Sequence, residues 1–225
     1  MHVLPHKDSS RIIKLLGEDD KINAVYATGF GKRKSNQSAI FYPGNHVEIE
    51  LANSIKSSML KCKTAYIVSP WQNLQRDILK SSILTFSSEC LMVYFKASYT
   101  YHGLFNFYLD YLTLLDHEDE VGNFPLFFVI RVSQLLGIKP EAKSGYFNIR
   151  EGVFESSQHY QYGLNKEESL VLSKLLDSNG AEQFALEINH SIKKRLLKSY
   201  LIFIDYHTGN NQAIVSLDVL KVVLN

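Results

Sequence analysis

The sequence predicts an α+β protein in which a small five-stranded β-barrel is followed by an all-α domain. Two observations support this. Up to about residue 70, short apolar or alternating segments are separated by clusters of Gly, Pro, Asn and Asp, as in small β-barrels. From about residue 72 onward, apolar residues recur at helical spacing instead. The expected domains are therefore residues 1–71 and residues 72–225.

Five segments of the N-terminal part have the composition of β-strands. They are Arg11–Leu16, Ile22–Tyr26, Ala39–Tyr42, His46–Leu51 and Leu60–Val68. The acidic turn Gly17–Asp20 and the Pro43–Asn45 segment supply the residues that turns require. Strict alternation of apolar and polar residues in His46–Leu51 is typical of a strand with one buried face.

The remaining sequence predicts helices with one short interruption. A helical period runs from Leu74 to Tyr94, across Leu104–Leu115, and through Phe124–Leu136, which Gly137 and Pro140 follow as stop signals. Residues 141–163 lack this period and predict a loop or short hairpin. Asn165 and Glu168 have capping-box spacing. They open the first of three C-terminal helices, expected near residues 165–176, 181–206 and 216–224.

Composition excludes several classes of protein. A hydrophobic content of 45% is enough for packed cores. The N-terminus does not resemble a secretion signal, and no apolar run reaches the roughly 18–20 residues of a membrane span. We therefore expect a cytoplasmic protein. Cys62 and Cys90 are too few for a disulfide framework or a four-cysteine zinc site, so no metal or other cofactor is expected.

The net charge of +1 conceals an asymmetry along the chain. Residues 1–72 contain ten Lys and Arg against six Asp and Glu, a charge of +4. Residues 73–225 contain fourteen against seventeen, a charge of −3. The first part is therefore the one expected to bind a polyanion.

A glycine-rich basic segment is the strongest candidate for nucleic-acid binding. Lys32, Arg33 and Lys34 follow two glycines between expected strands, and no carboxylate comes after them until Glu48. Phe30 lies between the glycines, where its ring could stack on a base. Five further cations could extend this surface or simply solvate the barrel: Arg11, Lys14, Lys56, Lys61 and Lys63. We interpret the strand aromatics, Tyr26 among them, mainly as core residues.

Enzymatic motifs are not found. The Gly29–Arg33 segment lacks the spacing and the Ser or Thr of a phosphate-binding P-loop. Neither GxSxG nor HExxH occurs, and the eight histidines are dispersed. The acidic run Asp116–Glu120 is interpreted as a solvated linker between helices rather than a metal site. No catalytic residue is assigned.

Blocks distributed over nearly the whole chain resemble the bacterial recombination mediator family RecO in their order and spacing. They are Val3–Ile13, Ala24–Lys34, Gln75–Ser81, Asn123–Phe128, Leu136–Pro140, Arg195–Leu197, His207 and Ser216–Leu220. Many members of that family carry a four-cysteine zinc module in the region that corresponds to residues 141–163. This chain has no cysteine there, so no zinc module is expected.

The resemblance implies an N-terminal OB-fold, a helical C-terminal domain and no catalytic centre. It also implies a non-enzymatic mediator of DNA repair and homologous recombination, acting at the bacterial nucleoid. Such proteins bind single- and double-stranded DNA, anneal complementary strands, engage the single-stranded DNA-binding protein SSB, and cooperate with RecR to load RecA.

Three cations are candidates for binding the acidic, hydrophobic-ended tail of SSB. Arg131 is the one cation of the apolar Phe124–Leu136 helix, and Lys193 and Arg195 lie on a second basic face. The alternative is that all three are ordinary surface residues. Two other functional classes stay open from the sequence, an OB-fold RNA-binding factor of translation or RNA processing, and a hydrolase or nuclease with an unrecognised site.

Overall fold

A computed structural model describes residues 2–7, 10–29, 37–52, 60–178 and 186–224. It confirms the α+β class, because a five-stranded sheet precedes a series of helices. The chain divides into two compact units, residues 1–118 and 119–225. Two long helices therefore belong to the same unit as the sheet. The narrower nucleic-acid-binding domain expected at residues 1–71 stays a prediction.

The first unit contains a sheet with one parallel pairing. Its elements are β1 (His2–Lys7), β2 (Ser10–Leu16), β3 (Ile22–Thr28), α1 (Gln37–Ile40), β4 (His46–Ala52), β5 (Leu60–Ser69), α2 (Ile78–Tyr94) and α3 (Leu104–His117). The strand order is β1-β2-β3-β5-β4, and all neighbours are antiparallel except β3 and β5. Within the described strands β1 and β4 are the sheet edges, so the predicted closed barrel is not observed.

The strand predicted at Ala39–Tyr42 is wrong. Its first two residues, Ala39 and Ile40, form the second half of the short helix α1, and Phe41, which follows the helix, is buried in the core cluster of the sheet. The side-chain amide of Asn45 donates hydrogen bonds to the carbonyls of Ala39 (2.8 Å) and Ile40 (3.1 Å). These bonds satisfy carbonyl groups that the end of a helix leaves without intrahelical partners. The fifth strand is instead β1, which overlaps the Val3–Ile13 block of the family resemblance.

The inner face of the sheet is apolar. Its buried cluster includes Ile13, Val25, Ala27 and Cys62, one or two from each of the three central strands. A cavity of about 590 Å³ lies between this side of the sheet and α3, whose Tyr108 is among the lining residues. Because successive strand residues point to opposite faces, this burial fixes which side chains lie on the outer face.

An aspartate in the β2–β3 turn caps helix α3. Asp20 has a left-handed backbone (φ 59°), and its carboxylate accepts hydrogen bonds from the N–H groups of Gly103 and Phe105, each 2.9 Å long. Gly103 is the N-cap residue and has no side chain to serve this purpose. The bond from Phe105 is the main reason that the pKa of Asp20 lies below its ordinary value. The turn thereby fixes the start of the helix.

A second aspartate fixes the end of the same helix. Asp116 is only 2% exposed, and its carboxylate accepts hydrogen bonds from the N–H groups of Gln72 (3.0 Å), Asn73 (2.7 Å) and Leu74 (2.8 Å). Burial alone would raise the pKa of Asp116, but these three bonds lower it. The interpretation of the acidic run as solvated is therefore wrong for its first residue.

The second unit is helical apart from one hairpin. Its elements are α4 (Phe124–Leu135), β6 (Tyr146–Asn148), β7 (Val153–Glu155), α5 (Lys166–Asp177), α6 (His190–Thr208) and α7 (Ser216–Val223). The predicted hairpin and the Asn165–Glu168 capping box are confirmed. The helix predicted from residue 181 is described only from His190, where Asn189 caps it. Residues 186–189 are not helical, and residues 179–185 lie outside the described part.

Candidate nucleic-acid interface

A row of side chains crosses the outer face of the sheet. Tyr26 on β3 is paired in register with Ile12 on β2 and with Lys61 on β5. Its two chain neighbours, Val25 and Ala27, are both buried on the inner face, so Tyr26 lies on the outer one. Tyr26 is half-buried and Lys61 is exposed.

Lys14 extends this row. It is two residues from Ile12 along the same strand, follows the buried Ile13, and is half-buried. With strands about 4.8 Å apart, Lys14 and Lys61 lie on the order of 10–12 Å from each other on either side of Tyr26. An aromatic ring between two cations is an arrangement suited to a single nucleic-acid strand, with a base against the ring and phosphates near the ammonium groups. We call Ile12, Lys14, Tyr26 and Lys61 the outer-face row.

Lys63 lies on the same strand as Lys61 but in a different electrostatic environment. Its ammonium group donates to the carboxylate of Glu50 at 2.5 Å, and the hydroxyl of Thr64 donates to the other carboxylate oxygen at 2.9 Å. These two donors, Lys63 first, hold the pKa of Glu50 below its usual range. Lys63 is thus already paired with an anion, whereas no ion pair is recorded for Lys61 among the described residues.

The other predicted DNA contacts are divided between the inner face and undescribed segments. Arg11 pairs in register with Ala27, a core residue, so it belongs to the inner side of the sheet and not to the outer-face row. Its guanidinium donates to the carbonyl of Ser10 at 2.8 Å. Phe30, Lys32, Arg33, Lys34 and Lys56 lie outside the described residues.

The position of Tyr26 differs from the one expected from the sequence. The strand aromatics are expected mainly in the core, and this holds for Phe41 but not for Tyr26. The signal was present, because a tyrosine between two buried residues of one strand must face the other way. Tyr66 lies at the opposite end of this face. Its hydroxyl is hydrogen-bonded to the carboxylate of Glu48, and this bond raises the pKa of Tyr66.

The three candidates for the SSB tail lie on two helices of the second unit. Arg131 is exposed on α4, where its guanidinium donates to the side chain of Gln134 at 2.8 Å. Lys193 on α6 is half-buried, and this burial lowers its pKa while the charge of Glu120 opposes the shift. Arg195 forms an ion pair of 2.5 Å with the nearly buried carboxylate of Glu168. Arg195 therefore has a structural partner already.

Over the described ranges the structure contains neither a cluster of metal ligands nor a membrane-spanning helix. In that part of the chain, no group of three or more His, Cys, Asp and Glu side chains is arranged to hold a metal ion. None of the described helices is long and apolar enough to cross a membrane.

The family described as "Recombination protein O C terminal" matches residues 75–213, which is more than half of the chain. The chain belongs to the RecO family. The match covers α2 to α6, so it includes helices of both compact units. RecO proteins are DNA repair mediators and are not in general a family of enzymes.

Curated RecO relatives extend the similarity over the sheet as well. The DNA repair protein RecO of Flavobacterium johnsoniae is 29% identical over 99% of this chain and 95% of that protein. The RecO of Azobacteroides pseudotrichonymphae is 27% identical over 100% of the chain and 96% of the relative. The RecO of Bacteroides fragilis is 25% identical over 98% and 95%. The sequence similarity to RecO proteins therefore extends over nearly the whole chain, including the strands of the sheet.

Proposed function

We propose that this chain is a non-enzymatic mediator of DNA repair and homologous recombination that binds single- and double-stranded DNA through an N-terminal OB-fold. Family membership supports the role in DNA repair. The outer-face row, in which Tyr26 lies between Lys14 and Lys61, is the observation that supports this binding mode. The parallel β3–β5 pairing supports the OB assignment, since OB-folds are partly open Greek-key barrels of five strands.

The individual activities of such a mediator are proposed on the basis of this role. Annealing of complementary strands needs contacts that ignore base sequence, and phosphate and stacking contacts meet that need. The basic segment Lys32–Lys34 is proposed to add phosphate contacts to those of the row. Engagement of the SSB tail, with Arg131 and Lys193 as anchors, and cooperation with RecR to load RecA complete the proposed function.

Lys61 and Lys63 provide a matched pair for testing the interface. Both are exposed lysines of β5, two residues apart, but only Lys63 is paired with Glu50 among the described contacts. Binding of a fluorescent oligonucleotide is measured at several salt concentrations. Lys61→Ala should lower the slope of log K against log[salt] by roughly 0.7 for a single strand. Lys63→Ala should change it less, because Glu50 already neutralises that charge.

The basic segment is tested in the same titration. Replacing Lys32, Arg33 and Lys34 together by alanine should lower the salt slope by roughly three times the single-contact value. An unchanged slope in the folded variant would remove the segment from the interface. Equal effects of the Lys61 and Lys63 variants would refute the outer-face row. Stronger binding of folded RNA than of single-stranded DNA would favour an RNA-binding factor instead.

A further inference from the structure

The second unit presents a guanidinium group close to two tyrosine rings. Arg150 follows β6, and its guanidinium carbon lies 5.7 Å from the ring centroid of Tyr162 and 5.6 Å from that of Tyr206. Its Nε donates a hydrogen bond of 2.9 Å to the hydroxyl of Tyr206. Tyr206 is nevertheless 55% exposed. The contacts fix one ring of α6 against the hairpin and leave much of its surface in solvent.

A third tyrosine projects from the same hairpin region. Tyr160 is fully exposed, and it lies in a turn held by main-chain hydrogen bonds. The N–H of Gly163 donates to the carbonyl of His159, and the N–H of Ile149 donates to the carbonyl of Tyr162, each at 2.9 Å. These bonds hold the turn without using the ring of Tyr160. A large aromatic surface is thus presented to solvent from a hydrogen-bonded support.

The outward side of α6 joins these rings to positive charge. Lys194, Lys198, Ile202 and Tyr206 follow one another at intervals of four residues, so they lie along one side of the helix. All four are exposed. At 1.5 Å per residue, Lys194 and Tyr206 are about 18 Å apart along the helix axis. Lys194 and Lys198 therefore lie towards one end of this side of α6, and the ring of Tyr206 lies at the other end.

Nearby carboxylates have partners of their own. Asp205 accepts a hydrogen bond from the side-chain amide of Asn210 (2.8 Å), and Glu155 accepts one from that of Asn148 (3.0 Å). The nearest carboxylate to Arg150 is that of Glu151, with an N···O distance of 3.9 Å and both side chains at least half exposed. A pair this long and solvated only partly offsets the guanidinium charge.

We propose that Lys194, Lys198, Tyr206, Arg150 and Tyr160 form a second binding site for single-stranded DNA, on the helical unit. Bases stack on the tyrosine rings, phosphates contact the two lysines, and Arg150 holds the Tyr206 ring in place. Flat rings flanked by cations suit unpaired bases better than they suit the aliphatic end of an acidic peptide. The proposal rests on the proposed function. It gives the chain a second site for a DNA strand, formed by residues other than those of the outer-face row.

Photocrosslinking of the full chain to an oligonucleotide containing 5-iodouracil tests the site directly. The site predicts crosslinks at Tyr160 or Tyr206 in addition to any at Tyr26. Crosslinks at Tyr26 alone would overturn this inference while leaving the proposed function in place. Crosslinks at Tyr160 or Tyr206 alone would support it and contradict the outer-face row. Absence of DNA binding altogether would overturn both.

A pair of double variants tests the same site by affinity. Lys198→Ala with Tyr206→Leu should weaken binding of a single strand about tenfold and lower the salt slope by roughly 0.7. The control, Lys96→Ala with Tyr99→Leu, also removes one exposed lysine and one exposed tyrosine, with Tyr99 58% exposed. It should leave both quantities unchanged. Equal losses in the two variants would overturn the proposal.

Tyr160→Ala separates binding from folding. Its ring supports none of the described turn contacts, so the variant should keep the wild-type melting temperature and bind a single strand several-fold more weakly. Unchanged affinity in this folded variant would exclude Tyr160 from the site. An acidic peptide with an aliphatic C-terminal residue, Leu, serves as the competing probe. If the Lys198 and Tyr206 double variant loses that peptide but not DNA, the surface is a peptide site and the proposal fails.

Discussion

The two compact units of this RecO chain differ in the polar contacts that join residues far apart in sequence. In the first unit, Asp20 and Asp116 accept hydrogen bonds from backbone N–H groups that lie more than forty residues away in sequence. In the second unit, contacts over a comparable sequence separation come from neutral hydroxyls, from an asparagine amide and from an arginine close to tyrosine rings. One of them joins the hydroxyls of Tyr200 and Ser133 at 2.8 Å, deep between α6 and α4.

This difference means that the two units respond differently to a change in charge. The carboxylates of the first unit act in their ionised form, which accepts stronger hydrogen bonds than a neutral group does. Burial raises the pKa of Tyr200, so its hydroxyl stays neutral over the ordinary pH range. Glu168 is the charged exception in the second unit, where Arg195 and the capping box share it. The first unit should therefore be the acid-sensitive one.

Removing the Asp116 carboxylate should have the largest effect. Asp116→Ala leaves three backbone N–H groups without their acceptor, and we expect a loss of about 3 kcal/mol in the free energy of unfolding of the first unit. The single tryptophan, Trp71, reports on this unit because its indole N–H donates to the carbonyl of Gly44 at 2.9 Å. Urea unfolding followed by its fluorescence measures the loss. The exposed Asp119→Ala is the control and should shift stability by about 0.5 kcal/mol or less. A similar loss in both variants would contradict the role of Asp116.

Acid should produce a smaller loss in the same unit. The folded pKa values of Asp20 and Asp116 are lowered, so their stabilisation is complete above the unfolded value of about 3.9 and is lost as the pH falls through the folded values. The effect is smaller than that of Asp116→Ala because a protonated carboxyl still accepts hydrogen bonds. The urea midpoint of Trp71 fluorescence should drop below about pH 4. It should drop less steeply in Asp116→Ala, and parallel curves would exclude Asp116 as a source of the acid sensitivity.

The smallest effect is expected from the neutral pair of the second unit. Tyr200→Phe should cost about 1 kcal/mol, because the hydroxyl of Ser133 can still donate to the carbonyl of Ile130 at 2.8 Å. Ser133→Ala leaves the Tyr200 hydroxyl buried without this partner and should cost somewhat more, about 1–2 kcal/mol. The double variant should cost less than the sum of the two. Hydrogen exchange of peptides from α4 and α6 measures all three, and strict additivity would show that the hydroxyls do not interact.

Local signals were sufficient for most of the helical part. The helices α2, α3 and α4 lie where apolar spacing predicts them, and Asn165 opens α5 through the predicted capping box. Each of these features depends on residues within one or two helical turns of each other, so local sequence is sufficient to predict it. The hairpin within residues 141–163 was likewise indicated by the loss of helical period.

The features that were mispredicted depend on partners outside the segment itself. Ala39–Tyr42 is a short apolar run, for which a strand and a helix cannot be distinguished by periodicity. Here the hydrogen bond from the Asn45 side chain to the Ala39 carbonyl and the burial of Phe41 stabilise the helix. Asp116 gave no local sign of burial, because its three donors come from the segment that precedes α2. For the outer-face row, the alternation around Tyr26 predicted its direction, but only the β3–β5 register places Lys61 beside it.

The parallel pairing of β3 with β5 also has a kinetic consequence. The β1–β2–β3 meander and the β4–β5 hairpin are each formed by neighbours in sequence, and such contacts form early and fast. The pairs Val25–Leu60 and Tyr26–Lys61 join the two halves and close a loop of about 35 residues. Of the steps that assemble the sheet, this loop closure has the largest cost in conformational entropy. Because Tyr26 and Lys61 are themselves members of the outer-face row, a chain in which the two parts of the sheet have not yet joined lacks the complete row that is proposed to bind DNA.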